Sequence, residues 1–176
     1  GISFFEVALN SEHGLKQIAI LRDRFGEKCM IGAGTAISVD LAKAAIGAGA
    51  QFLLTPGTPI DVLQYCAKKD IMLLPGVFTP GDVATSLEFG YKTMKLFPAG
   101  CAPKGYLKAL KGPYDEANYI AIGGVTIDNI NDYFKEGYMG VGLASNLMPL
   151  SVLKDKNWDL GVSYVQKYVS RVKRRV

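Results

Sequence analysis

One histidine, one tryptophan and three cysteines in 176 residues leave little of the usual catalytic machinery. A Ser-His-Asp triad would have to use His13, and a multi-histidine zinc site cannot be built at all. His13 follows "ALNSE", where a helix is expected to start, so it reads as a solvated first-turn residue. Cys29, Cys66 and Cys101 are widely spaced and form no C-x-x-C, which indicates reduced thiols and a cytoplasmic location. Cys29 and Cys66 read as small core residues, and Cys101 lies near a candidate site without a histidine to activate it. No apolar run approaches the roughly 20 residues of a membrane helix, and no secretory signal is visible. P-loop, G-x-G-x-x-G and EF-hand patterns are missing too. The formal charge of +4 is accounted for by Arg171, Lys173, Arg174 and Arg175 of the final "RVKRRV". With no basic and aromatic residues interleaved elsewhere, neither nucleic acid nor membrane is an expected partner. Chemistry must therefore come from Lys, Glu, Asp, Thr, backbone amides or an oxygen-bound metal.

What the chain has is a 49% hydrophobic composition and a regular alternation. Strand-like runs "ISFFEVAL", "KCMIGAG", "QFLLTPG", "IMLLPGV", "YKTMKLFP", "NYIAIGGV" and "YMGVGLAS" are separated by amphipathic stretches such as "EHGLKQIAILRDRFG", "SVDLAKAAIGAG", "IDVLQYCAKK", "GDVATSLEFG" and "IDNINDYFKEG". One helix between successive strands predicts βαβ units and a parallel sheet. Glycines before "ISFFE", "AQFLL", "YKTMK" and "YMGVG" recur as helix C-caps feeding strands. Seven strands in this rhythm fit an α/β (β/α)8 TIM-type barrel lacking its first strand and helix. The expected organisation is a single barrel domain over residues 1–176, with barrel units to about residue 150. A C-terminal helix and basic tail then occupy 151–176. Because the chain opens on Gly1 rather than Met, truncation is the expected reason for the missing strand, with reduced stability as its consequence.

In such barrels the site lies at the C-terminal ends of the strands, where this chain places "GAGT", "LTPG", "FPAG", "IGGV" and "GLAS". Strand alternation identifies the inward side chains. Phe5, Val7 and Leu9 form one apolar row, so Phe4, Glu6, Ala8 and Asn10 point inward. Met94 and Leu96 form an outer row, so Thr93, Lys95 and Phe97 point inward. Lysine is almost never buried without compensation. A structural ion pair between Glu6 and Lys95 is one reading. The other is a desolvated amine, neutral enough to attack a carbonyl, with Glu6 moving the protons. No cofactor is needed in either case. A phosphate would bind after the last two strands, where Gly123, Gly124, Gly142 and Ser145 offer backbone amides near helix starts. Tight turns without a ligand remain the alternative there.

The series "EVAL", "IGAGT", "LLTPG", "LLPGVFTP", "KLFPAG" and "IGGV" resembles the 2-keto-3-deoxy-6-phosphogluconate (KDPG) aldolase family, which includes the 4-hydroxy-2-oxoglutarate aldolases. The resemblance runs in order from Gly1 to about Pro149. It implies a homotrimeric (β/α) barrel and a metal-independent, Schiff-base aldolase of carbohydrate metabolism (the Entner-Doudoroff route). Such an enzyme splits KDPG into pyruvate and glyceraldehyde 3-phosphate. By that resemblance Lys95 forms the imine and Glu6 carries the proton. Thr35 and Pro56 line the pyruvate pocket, Phe97 packs beside the imine, and Gly123, Gly124 and Ser145 bind phosphate. One departure stands out, because the family usually reads "E-V-T-L-R" where this chain reads "EVALN". Asn10 thus replaces an arginine that helps hold the substrate carboxylate, and a neutral amide loses the bidentate, charge-assisted pairing. Arg22 and Arg24 are poorly placed to compensate. Competing expectations are a 4-hydroxy-2-oxoglutarate aldolase, a phosphosugar-binding barrel without catalysis, and an isomerase or epimerase barrel needing no imine.

Overall fold

The structure is a computed structural model and describes residues 1–173. Its elements follow the expected alternation. In order they are β1 (Phe4–Ala8), α1 (Gly14–Phe25), β2 (Met30–Gly34), α2 (Val39–Gly47), β3 (Leu53–Leu54), α3 (Ile60–Lys69), β4 (Leu73–Leu74) and β5 (Gly76–Val77). There follow α4 (Pro80–Glu88), β6 (Thr93–Leu96), α5 (Tyr106–Lys111), β7 (Asn118–Ile122), α6 (Ile130–Glu136), β8 (Gly140–Gly142), α7 (Leu150–Lys154) and α8 (Trp158–Lys173). β1 pairs with β2, β2 with β3, β3 with β4 and β7 with β8, all in parallel. The fold class is α/β of the TIM-barrel type, with a C-terminal helix. Among the described residues no helix is long and apolar enough to cross a membrane. Arg174 and Arg175 of the basic tail lie outside the described residues.

Two compact units are resolved, Ile2–Lys95 and the segment from Leu96 onward, with which Gly1 is grouped. In the first, the sheet order is β1-β2-β3-β4. Val7, Ile31, Ala33 and Leu53 of its strands meet Ile18 of α1, Ala42 and Ala45 of α2, and Val62, Leu63 and Cys66 of α3 in one buried cluster. Alanine on α2 lets the helix approach the sheet closely, while leucine and isoleucine fill the remaining space. Each fully buried aliphatic side chain contributes about 1.5–3 kcal/mol. In the second unit Leu107, Leu110, Tyr119, Ala121, Val125, Ile130, Tyr138 and Val152 are buried.

Local chemistry explains the element boundaries. Ser38 caps α2 by accepting from Leu41 N–H at 3.2 Å. Thr79 and Asp82 form a reciprocal capping box at the start of α4, with Pro80 in the first turn. Gly49, Gly90 and Gly137 follow helices with φ of +100°, +86° and +102°, the C-cap role expected of the recurring glycines.

Three local expectations need correction. The run "IMLLPGV" is two strands, not one, because Pro75 has no N–H to continue the ladder. A helix, α5, lies between "KLFP" and "NYIAI", where no particular stretch was singled out as helical. It is only six residues long, bounded by Gly105 and Gly112, too short to show a period. Phe5, expected to pack in one row with Val7 and Leu9, is 42% exposed. β1 is an edge strand with β2 as its sole neighbour among the described residues, so its start is left uncovered.

Candidate active site

Lys95 lies on β6 between Met94 and Leu96, both 0% exposed, and is itself 6% exposed. Its backbone N–H donates to the Pro75 carbonyl at 2.8 Å, tying β6 to the break between β4 and β5. Burial pushes the Lys95 ammonium below the usual lysine pKa, while the charge of Glu6 pulls it back up; burial prevails. The lysine therefore holds its proton less tightly than a surface lysine, and it senses the Glu6 carboxylate.

Glu6 comes from β1, paired in register with Gly32, and is open to solvent. Its carboxylate lies over Gly34, where a Cβ would collide with Oε1. A Cβ at Gly32 would run into the Phe52 ring in the same way. The "GAG" of β2 thus leaves a floor without side chains, on which Glu6 and Phe52 rest. Phe4 meets Phe52 edge to face, ring centroids 5.7 Å apart. Phe4 and Glu6 consequently share a face of β1 opposite Val7, which is buried in the core cluster.

Three more candidates sit just past strand ends in this unit. Asn10 is exposed in the turn after β1. Thr35 follows β2 with φ +62°, a left-handed conformation uncommon for a β-branched residue. It is held there by Ala36 N–H donating to the Leu54 carbonyl at 3.1 Å and Ile37 N–H donating to the Thr35 carbonyl at 2.9 Å. Pro56 follows β3 in an exposed loop whose backbone lies so close to Gly76 that a Cβ there would strike it. Arg22 and Arg24 are in the last turn of α1, and Arg22 donates to the Gly26 carbonyl at 3.0 Å. Both are at the end of α1 away from the Asn10 turn.

The second unit holds the other candidates. The Phe97 ring packs over Gly123, where a Cβ would sit 3.1 Å from it. Gly123 and Gly124 have φ of +87° and +84°, and a Cβ on Gly124 would be 2.8 Å from Gly100 Cα. Positive φ and close approach both require glycine in this pair. Gly100 N–H donates to the Gly123 carbonyl at 2.8 Å, and the Asn129 side-chain amide donates to the Gly124 carbonyl at 2.9 Å. Gly142 ends β8 against Ile122, and Ser145 is exposed in the following turn. Asn146 steadies that turn: its side chain donates to the Val125 carbonyl at 3.1 Å, and its own carbonyl accepts from the Tyr168 hydroxyl at 2.6 Å.

The candidates thus fall into two sets: Glu6 with Lys95, and Phe97 with Gly123 and Gly124. Asn10, Thr35, Pro56, Gly142 and Ser145 stand at strand ends within their units. Sequence reasoning missed the supports, namely Thr55, Asp82, Asn129 and Asn146. The spacing of Thr79 and Asp82 before an apolar run was a visible signal for one of them. All three cysteines are free. Burial pushes the Cys66 thiol up to about 11, which makes it inert. Two hollows, of about 310 Å³ beside Ser38 and Asp61 and about 650 Å³ beside Tyr133, are lined by none of the candidates.

Residues 1–163 match the sequence profile of the KDPG and KHG aldolase family. The chain belongs to that family. It is 31% identical over 170 residues to the 2-dehydro-3-deoxy-6-phosphogalactonate aldolase of Escherichia coli (strain K12), covering 96% of this chain and 82% of the relative. Identity to the 2-dehydro-3-deoxy-phosphogluconate aldolase of Pseudomonas aeruginosa is 32% over 160 residues, covering 90% and 72%. Among solved structures, the KDPG aldolase from Legionella pneumophila, with pyruvate captured at low pH as a covalent carbinolamine intermediate, superimposes with a TM-score of 0.87. It is 30% identical, covering 94% of this chain and 80% of that one. The protein is accordingly an aldolase, and its substrates are small molecules.

Proposed function

We propose that this aldolase cleaves 2-keto-3-deoxy-6-phosphogluconate into pyruvate and glyceraldehyde 3-phosphate through an imine on Lys95. The observation that carries this reading is a buried lysine whose proton is loosened by desolvation while the Glu6 carboxylate acts on it. The neutral Nζ attacks the C2 carbonyl, and loss of water leaves a protonated imine. Glu6 takes the proton of the C4 hydroxyl as the C3–C4 bond breaks, and the bonding pair flows into the imine to give an enamine. The aldehyde departs, the enamine carbon recovers a proton, and water releases pyruvate from Lys95. Thr35, Pro56 and Asn10 bind the pyruvate end, and Phe97 covers the imine. Gly123, Gly124, Gly142 and Ser145 take the phosphate through backbone N–H groups and a hydroxyl. We read the enzyme as cytoplasmic and homotrimeric, the latter on family resemblance alone.

A second reading changes only the configuration at C4. The 31% identical relative named for the phosphogalactonate substrate supports the C4 epimer as substrate. Pyruvate release from both epimers and from 4-hydroxy-2-oxoglutarate, measured by coupled lactate dehydrogenase, tests the assignment. A kcat/KM for the gluconate epimer at least about tenfold above the others is expected, and a reversed ranking assigns the galactonate or unphosphorylated substrate instead.

A further inference from the structure

Among the described residues, three polar or charged side chains are buried: Thr55, Ser86 and Lys95. Ser86 returns its hydroxyl to its own helix, donating to the Asp82 carbonyl at 2.9 Å. Thr55 does something else. Its Oγ1 donates to the Gly57 carbonyl at 2.6 Å and accepts from Gly76 N–H, 21 residues away, at 3.1 Å. One hydroxyl therefore closes the loop containing Pro56 and fastens it to β5. Gly76 follows Pro75, and the Pro75 carbonyl is the acceptor of the Lys95 N–H at 2.8 Å. Further along the same loop, Thr58 Oγ1 donates to Asp82 Oδ1 at 3.3 Å, anchoring it to the start of α4.

We propose that Thr55 is a positioning residue for Lys95: its hydroxyl fixes the Pro75–Gly76 break that holds the lysine backbone, and sets Pro56 beside it. Pro75 separates β4 from β5 and has no N–H of its own, so the break lacks the backbone donor that another residue would supply there. A fully buried hydroxyl using both its donor and its acceptor secures the break instead. Valine has the same shape but leaves the Gly76 N–H and the Gly57 carbonyl without this partner, whereas serine retains both bonds. Ser86 is an internal reference, since its hydroxyl is equally buried but ends on its own helix.

The catalytic part of this inference rests on the imine reading; the structural part does not. The experiment compares Thr55→Val, Thr55→Ser and Ser86→Ala with the parent protein in two measurements. NMR hydrogen exchange is read at the Lys95 amide, and borohydride trapping of pyruvate is read as rate and half-saturation. Thr55→Val is expected to exchange the Lys95 amide about tenfold faster, to slow trapping about tenfold and to raise the half-saturating pyruvate concentration. Thr55→Ser is expected to restore all three to within about twofold, and Ser86→Ala to change none of them. If Thr55→Val does not fold, Thr55→Cys carries the same test, because a thiol is a weak donor and acceptor. An unchanged Lys95 amide in the valine or cysteine variant overturns the proposal, as does equal slowing by Ser86→Ala. Absence of trapping in the parent protein would sink the imine reading, and the Lys95 amide would still decide the role of Thr55.

Discussion

On β6, Met94, Lys95 and Leu96 are all sealed from solvent, whereas on β1 Val7 is buried while Phe4 is 61% exposed and Glu6 faces water. The two strands carry the proposed nucleophile and the proposed proton carrier, and their settings match those tasks. An amine that must lose its proton near neutral pH benefits from a dry site, because burial disfavours the ammonium. A carboxylate that exchanges protons over a catalytic cycle benefits from contact with water. Sequence produces this contrast through neighbours: Lys95 sits in an apolar strand bonded to the Pro75 carbonyl, while Glu6 sits on an edge strand above a glycine floor.

The strongest way to sharpen the contrast is Glu6→Gln. Turnover is expected to fall by about 10²–10⁴, the usual contribution of a positioned acid–base group, while pyruvate trapping on Lys95 persists. The sign of the accompanying pH effect is fixed, because the Glu6 carboxylate favours the ammonium and so raises the Lys95 pKa. Removing it lowers that pKa further, so the rising limb of the trapping rate should move to lower pH in the variant. A limb that stays in place would show that the two groups do not interact.

Stability should divide between the strands in the same way. Met94→Ala deletes a fully buried side chain and is expected to cost about 2–5 kcal/mol in urea unfolding. Phe5→Ala, on the open strand, should cost much less; equal losses would contradict the burial difference. A smaller effect concerns Asn10, where Asn10→Arg offers a charged donor and should lower the KM for pyruvate about tenfold. An unchanged KM would mean that the substrate carboxylate is held elsewhere.

The smallest predicted change lies at the loop anchor. Burial acts to raise the Asp82 pKa, but hydrogen bonds from the Thr79 and Phe78 amides and from the Thr79 and Thr58 hydroxyls outweigh it and hold it below the usual value. Asp82→Ala should cost about 1 kcal/mol, the typical worth of a helix cap. Because the folded-state pKa is depressed, this stabilisation is present above pH ~4 and is lost as pH falls through the folded value. The difference between parent and variant should therefore shrink below about pH 4 and stay constant at neutral pH.

The alternation of elements and the shared face of Phe4 and Glu6 opposite Val7 could be read from sequence because both depend on neighbours one or two positions apart. Helix α5 could not, since six residues between two glycines show no period. The left-handed Thr35 was also invisible, because residue type argues against that conformation and contacts made by Ala36 and Ile37 impose it. The Thr55 to Gly76 bond joins residues 21 positions apart, and nothing in "LLTPG" alone announces its partner. What sequence conceals here is support: the groups that hold the candidate residues are recruited from other strands and loops.

The account turns on Lys95 as the imine-forming amine, and borohydride reduction with saturating pyruvate followed by peptide mass mapping tests it directly. The predicted result is one reduced pyruvyl adduct, on Lys95, absent in Lys95→Ala. Its rate should reach a plateau below the ordinary lysine pKa of 10.5. A folded protein that gives no adduct, or places it on another lysine, would contradict the account.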